Sequence, residues 1–190
     1  MKQPNKVFNG ALITVAMRWT DRLIGVVSTL ILARLLVPAD FGIVAMALLV
    51  VGFVNVFLNM GVNQVLIHNS NAQKEDYDTA WTVRFLQSLF IAALVFFAAP
   101  LAAEYFNNPE VTLVLKVMSF GIVVGGLENI GIITFQKEMD FGRDFRFFFF
   151  KRLAGVVVTL AIAISFKSYW AMVLGTLAGR LAGVALSYGM

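Results

Sequence analysis

The sequence predicts an all-α integral membrane protein built from six transmembrane helices, and three observations carry that prediction. Of the 190 residues, 59% are hydrophobic and only 14% are charged, against about 45–50% and about 25% in soluble domains. Mean hydropathy is +0.82. The apolar residues fall into stretches at 7–33, 41–67, 80–100, 111–135, 151–166 and 169–188, most of them near or above the roughly 20 residues that cross hydrocarbon.

The first stretch, VFNGALITVAMRWTDRLIGVVSTLILA, is interrupted by polar residues at a helical repeat. Thr14, Arg18, Asp21, Arg22, Gly25, Ser28 and Thr29 step by three or four, so they share one helix face. A cation at mid-bilayer costs about 2.5–3.5 kcal/mol on insertion scales, so such residues face protein or water. One carboxylate cannot cancel two guanidiniums, and the face reads as wet and attractive to anions. Lys2 and Lys6 before the apolar run imitate a signal peptide, but the charges at 18–22 interrupt it and no A-x-A site follows, which argues against cleavage.

Pro38 and the capping Asp40 punctuate the first connection and open the second helix. That helix carries Asn55, Asn59 and Asn63 at four-residue spacing. They serve either as interhelical amide bonds or as a wall meeting sugar hydroxyls. A polar, acidic loop follows at 68–79. The third helix presents Arg84, Gln87 and Ser88 on one face, with Arg84 either snorkelling to the interface or lining a cavity. Asn107-Asn108-Pro109 marks a turn.

The fourth helix holds a Gly121/Gly125 pair and, deeper, Glu128. The glycines permit close packing, and Glu128 either pairs with a buried arginine or couples transport to an ion. The run QKEMDFGRDFRFFFF at 136–150 reads as an amphipathic interfacial segment, with the fifth helix beginning after it. Lys167-Ser168 is a tight turn. In the sixth helix Gly175, Gly179 and Gly183 form a small-residue ridge beside Arg180, which stands near mid-segment.

Lysine and arginine set an orientation. Lys2, Lys6, Lys74, Lys137, Arg143, Arg146, Lys151 and Arg152 fall on the side of the N-terminus, against Arg34 and Lys167 on the other. Basic loops stay inside, so both termini are expected in the cytoplasm. The chain has no cysteine and one histidine, which removes disulfides, zinc ribbons and thiol nucleophiles. Nucleotide-binding, hydrolase and metalloprotease patterns are absent from the sequence. No cofactor, no metal and no enzymatic activity are expected, and the net charge of +4 reflects topology rather than nucleic-acid binding.

Several motifs resemble the polysaccharide-export flippases of the multidrug/oligosaccharidyl-lipid/polysaccharide exporter superfamily. They are RWTDRLIGVVSTLILARLLVPADFGIVAMA at 18–47, GVNQVLIH at 61–68 and AAPLAAEYFNNPEV at 98–111, followed by MDFGRDF at 139–145 and YWAMVLGTLAG at 169–179. The similarity is greatest to the branch exporting colanic-acid-like or amylovoran-like units. The resemblance implies a two-lobed bundle of twelve to fourteen helices around a cationic cavity. Such proteins move undecaprenyl-diphosphate-linked oligosaccharides across the bacterial inner membrane by alternating access, for exopolysaccharide or lipopolysaccharide synthesis. Residues 1–190 correspond to the first six-helix lobe, so a fragment lacking the second lobe is expected. In related flippases arginines of the first helix engage the diphosphate, which points to Arg18 and Arg22.

The candidate cavity residues are therefore Arg18, Arg22, Arg84, Arg180, Asn55, Asn59 and Asn63, with Asp21 and Glu128 as candidates for ion coupling. The expected partners are a lipid-linked oligosaccharide, membrane lipids and the polysaccharide polymerase and co-polymerase. Rival readings are a membrane glycosyltransferase or polymerase, a non-transporting scaffold of the assembly machinery, and a cation-coupled drug exporter of the same superfamily. The short outer loops disfavour the enzyme, and the basic cavity disfavours the drug exporter.

Overall fold

A computed structural model describes residues 4–58, 73–138 and 140–189, with side chains described from residue 15 onward except at 57, 58 and 136. Among the described residues every regular element is helical. Helix α1 spans Pro4–Leu35, α2 Pro38–Leu58, α3 Lys74–Tyr105 and α4 Glu110–Gly126. A 3-10 turn at Ile130–Ile132 leads into the short α5 at Ile133–Lys137. Helix α6 runs Phe141–Phe166 and α7 Trp170–Gly189.

The punctuation read from the sequence holds at most junctions. The Asp40 carboxylate accepts the Val37 amide at 3.2 Å, capping α2, although that helix begins at Pro38. Asn107 takes a positive φ of 50°, and this left-handed residue ends α3. Lys167, with φ 46°, does the same for α6. Residues 59–67 of the expected second helix, and Asn59 and Asn63 with them, lie outside the described residues.

Three boundaries differ from expectation. Helix α3 does not stop at Pro100 but continues to Tyr105, since a membrane helix tolerates one missing amide when its neighbours compensate. The fourth helix does not reach residue 135. It breaks after the weak helix formers Gly125 and Gly126, where Asn129 accepts the Gly131 amide at 2.8 Å and donates its own amide to Ser187 Oγ at 3.0 Å. The segment 136–150 is not a separate interfacial element. From Phe141 it is the first half of α6, started by Asp140, whose carboxylate accepts the Arg143 amide at 3.2 Å. Burial of Phe147 holds that half of the helix in the bundle, with only 1% of the residue exposed.

Among the described residues, four helices can cross a membrane by length and composition: α2, α3, α6 and α7. Helix α1 is long enough at 32 residues but carries Arg18, Asp21 and Arg22 at mid-length, and α4 has only 17 residues. The six expected spans are thus met for four elements on that measure.

The main core joins α2, α3 and α4 through residues such as Ala47, Val95, Ala99, Val111, Val114 and Leu115, with Val173 of α7 inserted. A second, smaller cluster of Leu32, Leu36, Ala163 and Ala171 closes one end of the α1–α6–α7 group. Helix directions follow from side-chain pairings. Helix α6 runs antiparallel to α7, because a Cβ on Gly155 would meet the Gly175 oxygen at 3.1 Å, while Lys151 packs on Gly183. Helices α1 and α6 are parallel, with Asp21 beside Arg152 and Leu32 clustered with Ala163. Helices α4 and α7 are parallel as well, pairing Gly121 with Leu177 and Asn129 with Ser187. Such alternation is what a chain threading back and forth requires. Large apolar side chains face outward, among them Phe53, Phe97 and Leu101, as lipid contact demands.

Candidate functional site: a cationic cleft between three helices

Below the Leu32–Ala163 closure, α1 separates from α6 and α7 and leaves a cleft of about 550 Å³. Its wall carries Arg18 and Asp21 from α1, Lys151 and Arg152 from α6, and Arg180 from α7. Four cations against Asp21 on the wall and Glu128 behind Lys151 leave the cleft with a net positive charge. Ser28, Thr29, Thr159 and Thr176 add hydroxyls toward the closed end. Thr159 and Thr176 donate to carbonyls one turn back on their own helices, at 2.8 Å each, so their free lone pairs remain as acceptors.

Glycines make room for these long side chains. A Cβ on Gly25 would lie 3.1 Å from Nη2 of Arg152, and one on Gly183 only 2.8 Å from Cε of Lys151. Arg180 lies along Gly121 and Gly125 of α4, with Nη1 at 3.4 Å from a Cβ built on the first. The Gly121/Gly125 pair, expected to bring two helices together, instead beds an arginine. On α7 the ridge divides its labour. Gly175 and Gly179 meet the α6 backbone closely, as expected, and Gly183 gives Lys151 its passage.

The cations differ in commitment. Arg152 Nε reaches Asp21 Oδ1 at 3.2 Å, but both side chains are about half exposed or more, so the pair contributes little stability. Lys151 Nζ holds Glu128 at 2.7 and 3.0 Å. Arg84 Nη2 reaches the same carboxylate at 3.3 Å and the Gly125 carbonyl at 3.4 Å. Glu128 is buried at 7% exposure and lies at the α4 break, shared by two cations and felt by a third, since its charge also acts on Arg180. Arg18 and Arg180 form none of the ion pairs found among the described residues.

The residues singled out from the sequence therefore separate. Arg18, Asp21 and Arg180 meet in the cleft. Arg22 is exposed and does not line it. Arg84 serves Glu128 and does not line the cleft. Asn55 folds back on its own helix, donating to the Val51 carbonyl at 2.8 Å. Lys151 and Arg152 were absent from the sequence candidates because the aromatic run before them placed them in a cytoplasmic loop. They stand near the middle of α6 instead, and the tally of loop cations loses both, together with Arg143 and Arg146 in the first two turns of the same helix. Among the described residues no cluster of acidic, histidine or cysteine side chains could hold a metal ion.

Comparison with known proteins places the chain in a family. Residues 31–190 match the family model described as "Polysaccharide biosynthesis protein"; the match begins beyond the charged turn of α1. The succinoglycan biosynthesis transport protein ExoT of Rhizobium meliloti is 27% identical over 143 residues, covering 75% of this chain and 29% of that protein. The lipopolysaccharide biosynthesis protein WzxC of Escherichia coli is 21% identical over 163 residues, covering 86% of this chain and 32% of the relative. The chain spans about a third of the length of these relatives. No solved structure matches. The resemblance read from the sequence is borne out, and the chain belongs to the polysaccharide biosynthesis protein family.

Proposed function

We propose that residues 1–190 form one six-helix lobe of an exporter that moves lipid-linked oligosaccharides across the bacterial inner membrane, and that the α1–α6–α7 cleft takes the diphosphate of the carrier. One observation carries this reading: Arg18, Lys151, Arg152 and Arg180 line a single cleft, and Asp21 and Glu128, which pair with Arg152 and Lys151, leave Arg18 and Arg180 outside every ion pair found among the described residues. Guanidinium forks match phosphate oxygens bidentately. A charge pair at about 4 Å is worth roughly 4 kcal/mol at an effective dielectric near 20. Several such cations compensate the desolvation of a headgroup that hydrocarbon rejects, while the polyprenyl tail stays in lipid.

Membership of the family and the transport protein among the relatives support export over catalysis. The orientation proposed puts both termini in the cytoplasm, with lobe rocking supplying alternating access. Asp21, exposed and held by one partner, is the carboxylate proposed for coupling. Glu128, clamped between Arg84 and Lys151, is proposed as a fixed counter-charge. In cells whose polymer export depends on this protein, Arg18→Ala with Arg180→Ala should stop export while the protein still inserts. Normal export by the inserted double variant would refute the reading.

A further inference from the structure

A second pocket, of about 580 Å³, opens between the start of α3, the 3-10 turn and the end of α7. Its walls include Tyr77, Trp81 and Tyr188 together with Lys74, Asp78 and Asn129. The chemistry contrasts with the cleft. On the lining itself Lys74 and Asp78 are of opposite sign, while Lys137, whose Nζ stands 5.8 Å from the Tyr77 centroid, covers one face of that ring. What remains is three aromatic rings interleaved with donors and acceptors of both kinds.

We propose that this pocket binds a neutral saccharide. Aromatic faces suit the C–H-bearing face of a sugar ring, while each ring's polar edge and the Asp78 carboxylate suit its hydroxyls. The size lies in the range of small-ligand pockets. The floor is rigid. Asn129 is fixed by its bonds to Gly131 and Ser187, and the Tyr188 hydroxyl donates to the Leu127 carbonyl at 3.1 Å. Trp81 is stacked on Phe85, with centroids 5.6 Å apart and planes 6° apart.

Two groups on the wall are unspent. The Asp78 side chain is exposed and forms no ion pair with another described residue. Nε1 of Trp81 is, among the described residues, the buried side-chain donor that lacks a hydrogen-bond partner. An interfacial tryptophan that only anchored the helix would keep its N–H in the wet headgroup layer, not buried and unpaired.

Position adds to the argument. Tyr188 stands eight residues beyond Arg180 on α7, about 12 Å along the axis at about 1.5 Å per residue. A ligand anchored by its diphosphate at Arg180 would carry its first sugars over that distance. This placement rests on the export reading, but sugar binding itself does not.

The test uses the chain in lipid nanodiscs with Trp19→Phe and Trp170→Phe, leaving Trp81 as the fluorescent reporter. Methyl glycosides of glucose, galactose and mannose, their disaccharides, and phosphocholine are titrated in turn. Saturable change with at least one sugar is expected at millimolar concentration. Asp78→Ala should weaken it about tenfold or more, as loss of a hydrogen bond to a charged group does. Binding should persist in Arg18→Ala/Arg180→Ala, so failure of the diphosphate cleft and failure of this pocket read separately. No saturable response to any sugar, a response to phosphocholine alone, or equal affinity in Asp78→Ala would each overturn the proposal.

Discussion

Removing a negative charge from the cleft should make it a better anion site, and Asp21→Asn is the variant that isolates the effect. Asp21 is the acidic residue on the wall, and its partner Arg152 lies 3.2 Å away. Their side chains are 63% and 47% exposed, so losing the pair costs about 0.2–1 kcal/mol of stability. The gain is larger. A phosphate about 8 Å from the removed charge is relieved of about 2 kcal/mol of repulsion per unit charge at an effective dielectric near 20, and solvent screening brings this to about 1–2 kcal/mol. Arg152, freed from Asp21, can also turn to the ligand. Pyrophosphate should therefore bind Asp21→Asn about tenfold more tightly than the parent in calorimetry on nanodisc-embedded chain at low salt. The gap should shrink as salt rises, because exposed charges are screened within about 10 Å at 0.1 M. Equal or weaker binding at low salt would mean that the cleft charge is not what holds the anion.

Arg22→Ala should change pyrophosphate affinity less than about twofold, whereas Arg18→Ala should weaken it about tenfold; comparable losses would put Arg22 in the site after all, since a surface charge outside contact range is largely screened. Glu128→Ala leaves Arg84 and Lys151 without their shared carboxylate and should cost about 3 kcal/mol, seen as a fall in Tm of about 6–12 °C at this chain length. An unchanged Tm would show that the cluster contributes no stability. Gly175→Ala drives a methyl group into Thr159 and to 3.0 Å from the Gly155 oxygen, an overpacking cost of about 1–3 kcal/mol. Thr159→Ala should recover more than half of that in the double variant, and purely additive effects would contradict the close approach of α6 and α7 at this point.

Much of this arrangement was legible in residues whose local chemistry has one outcome. Asp40 after Pro38, the Asn107–Pro109 turn and the Lys167-Ser168 turn fixed where helices stop. The spacing of Gly175 and Gly179 announced a close helix pair. The polar face of α1 was also legible, but its edge was not. Arg22 lies one residue, about 100°, round the helix from Asp21, and sequence spacing alone cannot say which flank of a stripe meets its neighbour.

Other features depend on tertiary partners. Lys151 and Arg152 follow a run of charges and phenylalanines that reads as interfacial, and only the burial of Phe147 against the bundle makes that run the lower half of α6. The break at Leu127–Asn129 needs Ser187 from α7 to hold it. The Gly121/Gly125 pair looked like a packing motif because the sequence gives no sign that an arginine from another helix will lie along it. The second pocket was missed for the same reason: Tyr77, Trp81 and Tyr188 are far apart in sequence, and each alone looks like an anchor at the membrane surface.

The α1–α6–α7 cleft is proposed to select a diphosphate. The direct measurement is the affinity of farnesyl diphosphate and of farnesol for the nanodisc-embedded chain, in the parent and in Arg18→Ala/Arg180→Ala. Saturable binding of the diphosphate is predicted, well above that of the alcohol, and weakened by at least about tenfold in the double variant, as loss of two charge-assisted contacts requires. Equal affinity for the two ligands, or a diphosphate affinity that survives the loss of both arginines, would contradict it.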